Sequence, residues 1–254
     1  MSLSSNSVLH YTKSLQSLES IIRDRKFLLG YCTDYIRENN DIENAQFEIA
    51  VPMVCFCDIP FTEVSKLTKE YGYYGIGLSK EWARKKGLNP VLYFDSKSKV
   101  TRILNAIDYL SSSICNNTSE EGIANRSNKL LKEYEGLLGY IKNYKNISSQ
   151  VGKIKPDYVF YNEREWRYVP SQSDLNENEL DLLLQKEDYE RNKSFYNDRA
   201  KKYFLDFDDS DITYIIVHRI DEIHDMLVFL NNIGIKSPKL CTKIISLEQI
   251  ENDF

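Results

Sequence analysis

Apolar runs of strand length, interleaved with segments of helical periodicity, predict an α+β fold built on a mixed or antiparallel sheet core. The clearest strand signals are VPMVCFCDIP at 51–60, NPVLYF at 89–94 and ITYIIVH at 212–218. Between about residues 96 and 154 the character changes to two successive amphipathic stripes, which predicts a helical hairpin inserted into the sheet. At 254 residues with 42% hydrophobic content, the chain is expected to form one domain over residues 1–254.

Taken in order, VLHY at 8–11 reads as a short strand. Leu15, Leu18, Ile21 and Ile22 then recur at helical spacing behind Ser14, a suitable N-cap. Residues 33–44 are polar and read as a loop, either folding over a site or simply solvated. The run from Val51 is closed by Pro60 and carries Asp58 just inside the turn, the pattern of a buried strand. In YGYYGIGLSKEW, tyrosines and glycines surround Ile76 and Leu78. Glycine removes the Cβ that keeps other groups off the backbone, so this stretch reads as a surface for a flat or phosphorylated ligand, or else as a tight hairpin. Ser79 is placed to cap a short helix, KEWARKKG, that Gly87 stops.

Within the insertion, Val100, Ile103, Leu104, Ile107 and Leu110 form the first stripe, and Leu130, Leu131, Tyr134, Leu137, Leu138 and Ile141 the second. A polar link, CNNTSEEGIANRS, is expected between them. The following tract, KNYKNISSQVGKIK, has four lysines and no acid, and reads as a solvated basic loop or a phosphate-binding surface. KPDYVFYNEREWRYVP then predicts a strand whose alternation puts Tyr161, Glu163, Glu165 and Arg167 on one face, as an ion-pair strand on a sheet surface or as part of a site. Residues 174–204 read as irregular or peripheral helix. After the strand at 212–218, a helix runs through Ile223, Leu227 and Leu230 to Gly234, and LCTKIIS forms a last strand before a terminal helix.

The totals exclude several function classes. A formal charge of -5 gives no global attraction to nucleic acid or anionic lipid. There is neither a signal-peptide pattern at the start nor an apolar run of membrane-spanning length, so a soluble, cytoplasmic protein without membrane contact is expected. Five cysteines, an odd number at scattered spacing, read as reduced thiols. Cys55 and Cys57 share a strand face, but two further zinc ligands at motif spacing are missing, so no metal is expected.

Chemistry concentrates at three places: His10-Tyr11-Thr12, the segment from Tyr71 to Ser79, and Glu163-Arg164-Glu165. Each has a plain structural reading, as a packed histidine, a capped helix start and a surface ion pair. Together they resemble the ADP-ribosyltransferase superfamily, in the group whose motifs run His, Tyr, Glu. That resemblance implies an ADP-ribosyltransferase-like fold with NAD as substrate. It implies His10 on the adenosine ribose, Tyr74 stacked on nicotinamide and Glu165 on the nicotinamide ribose, with Tyr11, Thr12, Gly75, Ser79 and Glu163 around them and Lys80 beside Ser79. A carboxylate there would stabilise the oxocarbenium-like carbon left when nicotinamide departs. Over nearly the whole chain, LHYT, PMVCFCDIP, YGIGLSKEWA with NPVLY, EREWRYVP and the YIIV…KIIS ending are similar to AbiGi-type abortive phage-resistance proteins. That family is described as antitoxins partnered with a nucleotidyltransferase-like toxin. Two expectations follow: an NAD-dependent ADP-ribosyltransferase acting on a protein or nucleic-acid acceptor in phage defence, or a non-catalytic antitoxin that neutralises a cognate toxin by direct binding.

Overall fold

The computed structural model describes residues 5–39, 45–95, 97–117, 121–148, 155–172, 174–175, 180–235 and 238–253. Strand β1 (Ser7–Thr12) leads into helix α1 (Leu15–Asp24), where the Ser14 hydroxyl accepts the Ser17 N–H and Arg25 closes the helix at φ 50°. Strands β2 (Lys26–Leu28), β3 (Gly30–Asn39) and β4 (Ala45–Cys57) follow, then a 3-10 turn at Phe61–Glu63, helix α2 (Ser65–Tyr71), strand β5 (Tyr74–Ser79) and helix α3 (Lys80–Lys85). Two short strands, β6 (Asn89–Pro90) and β7 (Leu92–Phe94), precede the hairpin of helices α4 (Lys99–Asn117) and α5 (Glu121–Leu138). The chain returns through β8 (Ile141–Asn143), β9 (Lys145–Ser148), β10 (Lys155–Val159) and a 3-10 turn at Phe160–Glu163 into β11 (Glu165–Tyr168). The remainder carries β12 (Leu184–Gln185), α6 (Lys186–Arg191), α7 (Lys193–Ala200), β13 (Phe204–Asp206), β14 (Ile212–Val217), α8 (Glu222–Asn232), α9 (Pro238–Cys241), β15 (Ile244–Ser246) and α10 (Leu247–Asp253).

The result is a mixed α+β structure. Its main sheet runs β15-β14-β5-β1-β4-β11-β6, antiparallel throughout except for the parallel pair β14–β15. Strand β4 changes partners along its length, with β12 also pairing at Ile49 and Ala50. Its first half pairs with β3, from Asn39↔Ala45 to Gly30↔Met53, and its second half lies between β1 and β11, where Cys57 faces both Leu9 and Glu165. Hydrophobic burial holds this arrangement together. Val8, Ile76, Leu78 and Ile215 from the sheet pack with Leu18, Ile22 and Trp82 from the helices, all essentially excluded from solvent.

Several local expectations are corrected. Residues 33–39 are strand rather than loop, because the β3–β4 ladder pairs their backbone whatever their polarity, and residues 40–44 lie outside the described residues. The Tyr71–Ser79 glycines serve packing between strands: a Cβ on Gly75 would meet the Tyr11 ring at 3.0 Å, and one on Gly77 would meet Thr213 Oγ1 at 2.9 Å. Most of the expected polar link between the helices is itself helical. Residues 118–120 lie outside the described residues. The basic tract contributes β8 and β9 instead of a free loop, with Lys142 buried; residues 149–154 are outside the description. Residues 155–168 are two strands rather than one, since Arg164 takes φ 44° and breaks the ladder. In the last expected strand, residues 240–241 belong to α9 and only Ile244–Ser246 pairs.

Candidate functional site

Beside the junction of β1, β4 and β11 lies a cavity of about 250 Å³. The break at Arg164 is what furnishes it: ending one 3-10 turn and starting β11 there leaves both Glu163 and Glu165 buried, at 3% and 7% exposure. Two buried cations answer them. Lys142 Nζ, from β8, lies 2.8 Å from Glu163 Oε2 and 2.8 Å from Glu165 Oε2. Arg167, two residues along β11, donates through Nε to Glu165 Oε1 at 2.8 Å and through Nη2 to Glu165 Oε2 at 3.0 Å. The same guanidinium reaches Asp34 of β3 at 2.6 Å and donates to the Gly139 carbonyl at 2.8 Å. Tyr71, at the end of α2, donates to the remaining oxygen of Glu163 at 2.6 Å.

Three carboxylates and two cations thus share one buried network, in which every oxygen of Glu163 and Glu165 accepts a bond. Burial by itself would raise the Glu165 pKa, but Arg167 and then Lys142 outweigh it and hold the carboxyl well below its usual range. Burial likewise works against the charge on Lys142, and Glu165, Glu163 and Asp34 more than reverse it. Burial, followed by Glu163, pushes the Tyr71 phenol up, so it stays a proton donor. An array of this kind is mutually compensated.

The opposite wall is less polar. Burial lowers the His10 pKa despite the hydrogen bond to the Cys55 carbonyl, 2.8 Å from Nδ1. The ring is therefore neutral with its proton on Nδ1, wedged between Phe27 and Phe56 at centroid distances of 5.0 and 5.5 Å. A hydrogen bond with Cys55 holds the Cys32 thiol below its ordinary pKa, while the same bond pushes Cys55 well up. The Tyr11 hydroxyl is buried without a hydrogen-bond partner among the described residues.

Of the residues singled out in the sequence, His10, Tyr11, Glu163 and Glu165 line this cavity. Thr12, Tyr74, Gly75 and Ser79 lie away from its walls. Tyr74 donates to Glu222 Oε1 at 2.9 Å and packs edge-on against His218, while Tyr71 is the tyrosine that reaches the carboxylates. Thr12 bonds the Ser14 carbonyl, Gly75 admits the Tyr11 ring and Ser79 caps α3 through the Trp82 N–H. Lys80 pairs with Asp58 at 2.6 Å. Sequence reasoning did not join Lys142, Asp34 or Cys32 to these carboxylates. Arg167 was signalled by alternation with Glu165, but Lys142 carried no mark separating it from the lysines around it. Among the described residues no group of histidine, cysteine and acidic side chains is disposed to hold a metal ion, and no helix is long and apolar enough to cross a membrane.

A mixed α+β chain with a closed ionic cluster beside a small cavity does not by itself define a reaction. Comparison with known proteins supplies the family. The model described as "Putative abortive phage resistance protein AbiGi, antitoxin" matches residues 25–218. The "Abortive phage resistance protein AbiGi" of Lactococcus lactis subsp. cremoris is 32% identical over 226 residues, spanning 80% of this chain and 89% of that protein. This chain belongs to the AbiGi family of abortive phage-resistance proteins. No solved structure gives a significant match, so the resemblance to ADP-ribosyltransferases has no structural neighbour behind it.

Proposed function

We propose that this protein acts in phage defence as a non-catalytic antitoxin that neutralises a cognate, nucleotidyltransferase-like toxin by direct binding. The observation that carries the reading is the occupancy of its carboxylates. A glutamate that stabilises an oxocarbenium-like ribose acts through an uncompensated negative charge, whereas Arg167 and Lys142 already neutralise Glu165 and take three of its roughly four acceptor sites. The cavity, about 250 Å³, is also smaller than the ~300–1,000 Å³ of typical small-ligand sites, and a dinucleotide is a large ligand. The antitoxin description of the family supports the same reading.

A second reading, NAD-dependent transfer of ADP-ribose to a macromolecule, is favoured by two observations: His10, Tyr11, Glu163 and Glu165 share a cavity, and the buried Tyr11 hydroxyl lacks a hydrogen-bond partner among the described residues. The two are separated by incubating the purified protein with NAD, alone and with the toxin, and following nicotinamide release. The antitoxin reading expects toxin inhibition with no nicotinamide above background. Turnover of NAD that stops in Glu165→Gln would reverse the choice.

A further inference from the structure

The helical hairpin leaves an apolar seam in solvent. On α4, Val100, Ile103, Ile107 and Leu110 are 51%, 59%, 37% and 57% exposed, while Thr101 and Leu104 form the buried side. Their spacing of three, four and three residues is that of the a and d positions of a coiled coil, whose 3.5-residue period keeps a continuous stripe toward a partner helix. On α5, Ile123, Leu130 and Leu137 recur seven residues apart at 42%, 53% and 38% exposure, beside the buried row of Ser127, Tyr134 and Leu138. These side chains lie in rows on two helices packed against each other, the clustered apolar exposure that marks an interaction surface. Scattered exposed leucines would need no explanation; two rows at heptad spacing on adjacent helices do.

Charge selects the occupant. Among the described side chains of the hairpin, Lys99 and Arg102 on α4 and Arg126, Lys129 and Lys132 on α5 are exposed, against Glu133 as the exposed acid. The chain as a whole carries a formal charge of -5, so this basic border is a local departure. A second copy docking seam to seam would bring these cations against one another, which disfavours self-association. An amphipathic helix with an acidic border satisfies both the stripe and the charge. We infer that the α4–α5 hairpin is the toxin-docking surface of this protein, receiving an acid-flanked amphipathic helix of the toxin along the Val100–Leu110 seam. The inference rests on the antitoxin reading and adds the surface that does the binding.

The test is a binding titration of the full-length protein against its purified toxin. Ile103→Lys/Ile107→Lys places two charges in the seam and is expected to weaken binding by about 100-fold or more, since truncating central anchors dominates interface energies. Lys99→Glu/Arg102→Glu alters only the exposed border, which removes any concern over folding. It should slow association and reduce the salt dependence of binding. Val228→Lys, an equally exposed apolar position on α8, should bind as wild type. Wild-type binding that survives both seam and border variants overturns the assignment while leaving the antitoxin reading intact. If wild type does not bind the toxin at all, the antitoxin reading falls and the docking surface with it. A wild-type chain that sediments as a dimer, and as a monomer in Ile103→Lys/Ile107→Lys, gives the seam to a second copy and also overturns the proposal.

Discussion

The ionic cluster beside β11 and the helical hairpin depart from ordinary soluble-protein design in opposite directions: one buries charge, the other exposes apolar side chains. In the cluster the chain resolves the departure by itself, because Arg167 and Lys142 meet Glu163, Glu165 and Asp34 within 2.6–3.0 Å and Tyr71 completes the set. In the hairpin nothing within the described residues covers Ile103, Leu110 or Leu130. The contrast teaches where to look for function. A self-satisfied buried network specifies a fold, whereas an uncovered seam asks for another molecule.

Breaking the cluster should have the largest effect on stability. Arg167→Met removes the cation that pairs with Asp34 and one of the two that pair with buried Glu165, and should cost about 3–5 kcal/mol in chemical denaturation. Glu165→Gln is milder, about 1–3 kcal/mol, because Lys142 keeps Glu163 and Arg167 keeps Asp34. The same variant sharpens the electrostatics. A carboxyl held below its unfolded pKa stabilises the fold fully above that unfolded value, near 4.5, and loses the contribution as pH falls through the folded value. Wild type should therefore lose stability steeply below about pH 4.5, and Glu165→Gln less steeply. His10 adds a smaller slope at higher pH. Its folded pKa is lowered, so its contribution is complete above about pH 6.5 and drains on acidification; His10→Asn, which can still donate to the Cys55 carbonyl, should flatten the stability profile between pH 7 and 5. At the other pole, Ile103→Lys should change stability by less than ~0.5 kcal/mol, as its side chain is already in water.

How much of this was legible in the sequence follows from the range over which each feature is decided. Period and capping are local, so β1, α1 with Ser14, α3 with Ser79 and the β14 strand were readable. The hairpin stripes were readable too, but only as apolar periodicity. Which of two rows faces the core depends on how the hairpin lies on the sheet, and the sequence cannot distinguish Leu104 from Ile103. Strand β3 was hidden because its polar residues are paired through the backbone, which composition does not report. The cluster was half visible. Alternation put Glu163, Glu165 and Arg167 on one side, yet it also implied a regular strand on a sheet surface, whereas the left-handed Arg164 breaks that strand and turns the acids inward. Lys142 joins from β8, 21 residues before Glu163 and after the helical hairpin, with no local signature to mark it. Tyr71 and Tyr74 illustrate the same limit: three residues apart, one ends a helix facing Glu163 and the other starts a strand facing Glu222.

The most direct test sets the two regions side by side in one assay, toxin neutralisation in co-expressing cells, with complex formation followed by the purified proteins. Glu165→Gln and Ile103→Lys/Ile107→Lys are compared at matched folded concentration. The predicted result is that Glu165→Gln neutralises and binds the toxin as wild type does, while the seam variant does neither. The opposite pattern, loss of protection in Glu165→Gln with the seam variant fully protective, would contradict the account and return the cavity to the centre of the function.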